Sequence, residues 1–259
     1  MEQTKEQGEG KQPDGPLFAP QRADDLSSHL LRQALGYLGV FLPLLVYGVA
    51  GLRSTEGSPG WAPLDSISEY YYSGSVAVFT GVLWAIGAFL FTYRGYDNPS
   101  RHWDLLTGKL ASLAALGVAL FPTAALPPLT APPWWSGWMK AVHYASAGVL
   151  FSCFVVYSLF LFPLTNEPPD SMSSDKRRRN RVYRACGVGI LGSLIWVIAA
   201  GLCGAPIFVP ESLALVLFGI SWLTKGRWLW TLHEAVTRLR GHRDQPPAQG
   251  PPPGSGQGS

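Results

Sequence analysis

The placement of charge constrains this chain more than any other feature. Residues 33–52 contain no Asp, Glu, Lys or Arg, and neither do 70–93, 110–139, 141–166 and 185–210. These runs are 20, 24, 30, 26 and 26 residues long, and a sixth, 212–224, has 13. Crossing the hydrocarbon core of a bilayer takes about 20 apolar residues at a rise of about 1.5 Å each. Five runs meet that length, and the sixth meets it by borrowing neighbours. Lipid admits only segments that satisfy their own backbone, namely helices or closed barrels. Barrel strands alternate over about ten residues. These runs are continuous and longer, so they are expected to be helices. The predicted fold is an all-α integral membrane bundle of six transmembrane helices, near 33–52, 73–93, 106–126, 141–163, 185–204 and 207–225.

Composition removes the competing classes. Charged residues make up 14% of the 259, against about 25% in an ordinary soluble domain. Hydrophobic residues make up 47%, ten are tryptophan, and mean hydropathy is +0.13. Disordered chains are charge-rich and poor in aromatics. The glycines have no triplet period and there are only three cysteines, which excludes collagen-like and disulfide-scaffold chains. Cys153 and Cys186 fall within apolar runs and Cys203 near the end of one, where a free thiol packs as a small hydrophobe. The first 32 residues mix acidic, basic and polar types without a short apolar core, so no cleavable targeting segment is expected. Neither a lipidation motif nor an Asn-x-Ser/Thr acceptor is found, since Asn98 precedes a proline.

Lys and Arg set the expected orientation. The N-terminal tail carries four of them, the second loop three, the fourth six and the C-terminal tail five. The first loop carries only Arg53, the third only Lys140 and the fifth none. Alternate sides therefore hold 18 and 2 cations. By the positive-inside rule both termini are cytoplasmic in a plasma-membrane protein. Residues 1–32 read as a flexible tail and 33–225 as the transmembrane domain. In 226–243, Trp228, Leu232, Ala235, Val236 and Leu239 recur near helical spacing, which predicts an interfacial amphipathic helix. The Pro/Gly/Gln/Ser-rich 244–259 reads as disordered.

This topology gathers polar residues on the outer face. Asp65-Ser66-Ile67-Ser68-Glu69-Tyr70-Tyr71-Tyr72 enters the second span, His143 sits at the outer end of the fourth, and Glu211 at the outer start of the sixth. Each has a structural reading beside a functional one. Ser66 and Glu69 fit a capping box, Ser-x-x-Glu before an apolar run. Tyr70, Tyr71 and Tyr72, like Trp134, Trp135 and Trp138, fit an interfacial aromatic belt, and Tyr70 and Tyr72 equally fit ligand contacts. His143 fits a neutral histidine bonded to a neighbouring helix, or a proton relay, general base or metal ligand. Pro210 and Glu211 suit a helix start. Only 13 residues separate Glu211 from Lys225, so either Lys225 snorkels or Glu211 lies within the apolar slab, where charges face the bundle interior and have partners. His143, Glu69 and Glu211 would supply three metal ligands, and a Ser66–His143–Glu constellation would supply nucleophile, base and orienting acid.

Three further matches have plainer accounts. Gly187-Val-Gly189-Ile-Leu-Gly192 satisfies GxGxxG without a preceding strand, so small residues that let helices approach explain it. His233-Glu234 begins HExxH, but Thr237 replaces the second histidine. Lys176, Arg177, Arg178, Arg179, Arg181 and Arg184 anchor topology, with Lys176, Arg177, Arg178, Arg179 and Arg181 also read as contacts for anionic lipid. Nucleic acid is not an expected partner, because no folded domain outside the membrane carries that patch.

Several strings together carry a resemblance: Ser66-Ile-Ser-Glu-Tyr-Tyr-Tyr72, Tyr93-Arg-Gly-Tyr-Asp97, Val118-Ala-Leu-Phe-Pro-Thr123, His143 and Gly219-Ile-Ser-Trp-Leu-Thr-Lys-Gly226. In their order and side, over roughly 33–226, the chain resembles a widespread bacterial family of multi-pass membrane proteins of uncharacterised activity. The Ile-Ser-Glu entry to a span is more remotely similar to the Frag1-like superfamily. A looser likeness is to membrane hydrolases of the alkaline ceramidase type, which implies a zinc held by histidines. The leading expectation is an outward-facing polar pocket for a small ligand or lipid in a membrane scaffold. An intramembrane lipid hydrolase and a transporter or channel are the alternatives. Gly81, Gly87, Gly117 and Gly148 would serve packing within the chain or in a homo-oligomer.

Overall fold

The computed structural model describes residues 20–54, 60–95, 101–127, 129–164 and 173–226. Six long helices account for most of them, and no strand occurs among the described residues. They are α1 (Pro20–Leu52), α2 (Val76–Thr92), α3 (Arg101–Leu120), α4 (Gly137–Val156), α5 (Ser174–Leu202) and α6 (Phe208–Lys225). Five are long and apolar enough to cross a membrane, and α2, with 17 residues, is shorter. The interfacial helix expected at 226–243 and the tail beyond it lie outside the described residues, as does His233-Glu234.

Local chemistry explains where the ends depart from the charge pattern. α1 takes in residues 20–32, upstream of the uncharged run. α3 stops at Leu120, because Pro122 cannot donate an amide and biases its predecessor out of helix. α4 widens into a π turn over Tyr157–Leu161, closed by the Phe162 amide on Tyr157 O at 2.8 Å, and ends before Pro163. α5 starts at Ser174, so the Lys176–Arg184 cations form its opening turns, capped by Ser173 Oγ accepting the Lys176 amide at 3.2 Å.

Each helix packs against the next in sequence, and α6 packs back against α1, closing a ring in chain order. The closing seam is glycine-lined. A Cβ on Gly219 would lie 2.5 Å from Gly36 O, and one on Gly36 would lie 2.8 Å from the Leu223 amide nitrogen. Gly187 and Gly189 admit Leu159 and Leu217 in the same way, whereas Gly192 faces open space. Gly87 and Gly117 pack within the bundle on Leu116 and Ser146, while Gly81 and Gly148 have nothing within 4 Å. The centre is filled rather than open: Phe154 stacks on Phe218 at 3.6 Å, and Tyr93, Tyr157 and Phe162 surround a fully buried Trp222. Outward faces present Leu44, Leu113, Phe160, Val188, Ile195 and Ile198, an apolar exterior far larger than a soluble domain tolerates.

The connections sort into two ends. The α1–α2, α3–α4 and α5–α6 connections meet at one, called the cap. The end of α2 and start of α3, the end of α4 and start of α5, the N-terminal half of α1 around Gln33 and the end of α6 at Gly226 lie at the other, called the base.

Candidate functional site

The cap is built on segment 64–73, which forms one 3₁₀ turn (Ser68–Tyr72) and lies across the bundle end. Its foundation is the start of α6. A helix leaves its first amides without internal partners. Here the Ile207 and Phe208 amides both donate to Asp65 O, at 2.6 and 2.8 Å, so a loop carbonyl replaces a capping side chain. α6 reciprocates through Glu211, whose Oε2 accepts the Ile67 amide at 2.7 Å. The two segments, 144 positions apart, are thus latched in both directions. Glu211 is therefore both a helix-start residue and a partner of the cap.

Within the segment, Ser66 Oγ accepts the Glu69 amide at 3.2 Å while Glu69 Oε2 accepts the Asp65 amide at 3.2 Å. That is the reciprocal bonding of a capping box, shifted by one residue on the carboxylate side. Both side chains are buried. Burial pushes the Glu69 carboxyl above its ordinary range, with the Asp65 charge adding to the rise and the accepted amide bonds opposing it.

His143 is 1% exposed and engages with both ring nitrogens. Nδ1 lies 2.7 Å from Phe121 O and Nε2 lies 2.9 Å from Ser68 Oγ. A carbonyl only accepts, so Nδ1 carries the proton, and Nε2 accepts from the Ser68 hydroxyl. The partners of His143 therefore lie on two connections, and Ser68, rather than Ser66, is the serine beside it. A hydroxyl donating to an imidazole whose other nitrogen is held by a fixed acceptor is the geometry of a nucleophile and its base. With both nitrogens engaged, His143 has no lone pair left for a metal in this arrangement. Among the described residues no three His, Cys, Asp or Glu side chains are grouped as a metal would need.

The tyrosines complete the cap from inside. Tyr70 is buried, packs on Phe208 at 5.8 Å between centroids, and accepts the Leu64 amide at 3.4 Å. Its buried ring packs inside the cap and is not exposed as a belt residue would be. Tyr72 donates to Thr123 O, tying the segment to the α3–α4 connection. Burial raises the Tyr70 phenol and pushes that of Tyr72 up to about 12. Trp134 and Trp138 are exposed, as a belt requires, whereas Trp135 bonds Pro122 O through Nε1 at 3.3 Å. Cys153 and Cys186 are buried, but Cys203, at the cap end of α5, is exposed.

The base holds a second buried polar group that charge counting alone does not single out. Arg32, Asp104, Asn180 and Lys225 are all buried there. Lys225 does not snorkel: its Nζ turns inward to Phe162 O at 3.4 Å, 5.0 Å from the Phe162 ring centroid. Lys176 Nζ reaches the same carbonyl at 3.4 Å, and Asn180 Nδ2 donates to Pro163 O at 3.4 Å. Three donors from α5 and α6 thus serve the carbonyls freed where α4 ends, the usual use of cations at a helix C-terminus. Arg32 lies 5.8 Å over the Tyr93 ring, and Tyr157 Oη donates to Asp104 O at 3.0 Å. No family model, curated protein or solved structure matches the chain.

Proposed function

We propose that the chain is a six-span plasma-membrane protein with both termini cytoplasmic, and that its cap faces outward and binds a small ligand or lipid. α2 is then the short span. An even number of helices closed into a ring brings the N-terminal half of α1 and the end of α6 to the base, and the 18-to-2 distribution of cations makes that end the cytoplasmic one in this reading. The observation that carries the binding reading is the latch. Ser68, Ile67 and Tyr72 hold one short segment over His143, Glu211 and Thr123 by single bonds, so opening it uncovers two carboxylates, an imidazole and phenols together. The filled centre of the ring favours a site at the cap over a path through the bundle. The motif resemblance supports the same six-span reading without adding an activity.

Cys203 supplies a native reporter. A membrane-impermeant maleimide is expected to label it on intact cells, while labelling only after permeabilisation refutes the orientation. For binding, mass spectrometry of gently purified protein should find a retained species of fixed mass that is lost in His143→Gln. Identical spectra for the two proteins refute the site. The Ser68–His143 geometry favours one second reading, an esterase acting at the outer leaflet. There Ser68 Oγ adds to an ester carbonyl as His143 Nε2 takes its proton, and the imidazolium returns it to the departing alkoxide. Water then releases the acyl group. A fluorophosphonate that modifies wild type but neither Ser68→Ala nor His143→Gln supports this reading, and no modification of wild type ends it.

A further inference from the structure

A lateral groove on the base half of the bundle has the chemistry of a lipid seat. It opens where α3, the π turn of α4 and α5 meet, and encloses about 530 Å³. That lies within the range of about 300–1,000 Å³ typical of small-molecule sites. Its walls include Trp103, Val156, Leu159, Phe160 and Pro163, and its lining carries one charged side chain, Arg184, with no carboxylate. The walls face outward: Trp103 is 55% and Phe160 61% exposed. Arg184 is the last cation before the uncharged run 185–210, which places it where headgroups give way to hydrocarbon in the six-span reading. Arg177 and Arg181 precede it by seven and three positions, hence on the same side of α5, and all three are exposed.

We propose that this groove seats an anionic glycerophospholipid, with an acyl chain along Val156, Leu159 and Phe160 and its phosphate at Arg184. The proposal rests on the membrane-spanning reading but not on the cap. Charge complementarity selects the occupant. A zwitterionic lipid offers Arg184 a phosphate whose charge its own ammonium offsets, whereas an anionic headgroup brings a net attraction that basic pockets between spans commonly provide. The π turn contributes as well. It carries Leu159 against Gly187, which has room for it only because a Cβ there would lie 2.5 Å from that leucine. The widened turn is thus locked beside α5 and holds the groove's back wall in place.

The test is a native mass spectrometry titration of the full chain in neutral detergent, using phosphatidylglycerol and phosphatidylcholine with identical acyl chains. Wild type is expected to prefer phosphatidylglycerol about fivefold or more, the worth of one cation near the headgroup. Arg184→Gln should abolish that preference, and Arg178→Gln, exposed but on another side of α5, should keep it. Val156→Trp fills the groove and should lower binding of both lipids. Phe160→Ala, at an exposed wall position, gives the same readout if Val156→Trp does not fold. Equal losses in Arg184→Gln and Arg178→Gln overturn the proposal, because they describe diffuse attraction rather than a seat. Unchanged binding in the groove-wall variants overturns it too. So does phosphatidylglycerol binding that appears only after residues 227–259 are removed, since the chain's own tail would then be the occupant. Failure of Cys203 labelling would instead remove the orientation, leaving these outcomes interpretable on their own.

Discussion

Glu211→Ala isolates the strength of the latch between the cap and α6. The substitution removes the acceptor of the Ile67 amide, a 2.7 Å bond from a carboxylate to a buried backbone donor. With Glu211 ionised, a hydrogen bond to its charge contributes about 1.5–3 kcal/mol, and the orphaned donor bears its own desolvation cost while it stays buried. At about 1.36 kcal/mol per decade, the closed state of segment 64–73 should lose roughly 10- to 150-fold in population relative to the open one. The Ile207 and Phe208 amides still donate to Asp65 O, so the segment loosens at one point rather than detaching. Hydrogen exchange by mass spectrometry in detergent micelles reads this directly, since exchange through local opening follows the open population. Peptides covering 64–73 should exchange about 10- to 150-fold faster, with α3 and α5 unchanged. Glu211→Gln keeps an oxygen acceptor without the charge, and a neutral bond is about half as strong, so it should fall between wild type and alanine. Unchanged protection of 64–73, or equal acceleration in every helix, would refute the latch.

Three more outcomes follow from the geometry. Gly219→Ala must push Gly36 O and the Val40 amide away from 2.5 and 2.8 Å, and overpacking of that kind costs about 1–3 kcal/mol, read as a lower unfolding temperature. Gly36→Ala should do likewise but not additively, because the first substitution already parts the helices; full additivity would mean the two do not share a seam. Gly48→Ala, on α1 with nothing within 4 Å, should be neutral or stabilising, as alanine is the better helix former by about 1 kcal/mol. Glu69 contributes to the pH response of the cap alongside Glu211. Its folded pKa lies above the ordinary 4.5, so its contribution is complete below 4.5 and is lost as pH rises through the raised value. With Asp65 and Glu211 as its acidic neighbours, cap protection corrected for intrinsic exchange should decline with pH above 4.5 in wild type. A slope that survives Glu69→Gln would assign the effect to another group.

What the sequence revealed and what it withheld divide by range. The helices are legible because the absence of charge extends over nearly every residue of a long apolar run. Their ends are less so, because Pro122 and the π turn at Tyr157–Leu161 act on single bonds that hydropathy does not see. The Ser66–Glu69 capping box is legible for the same reason that helices are: its partners are three positions apart. Ser68 is not, since nothing local distinguishes it from Ser66, and its bond to His143 spans 75 positions. The inward turn of Lys225 depends on a carbonyl 63 positions away, set free by the end of another helix. Glu211 is conspicuous in the sequence as a carboxylate in an apolar setting, but its partner is a backbone amide, which carries no signature in any sequence.

The closure of the ring in chain order has a consequence for how the protein is made. α1 emerges first, yet the surface that its glycines fit belongs to α6, which emerges last. The Gln33 side chain bonds Gly226 O at 2.9 Å across 193 positions. At translation rates of roughly 5–20 residues per second, that partner arrives on the order of ten to forty seconds later. Throughout that interval one close seam of the finished molecule is a bare glycine face on a helix that, in the membrane-spanning reading, is already inserted. Biogenesis therefore sets a vulnerable window: a chain interrupted before Phe208 leaves α1 with its best surface unmatched, open to neighbouring helices or to membrane quality control.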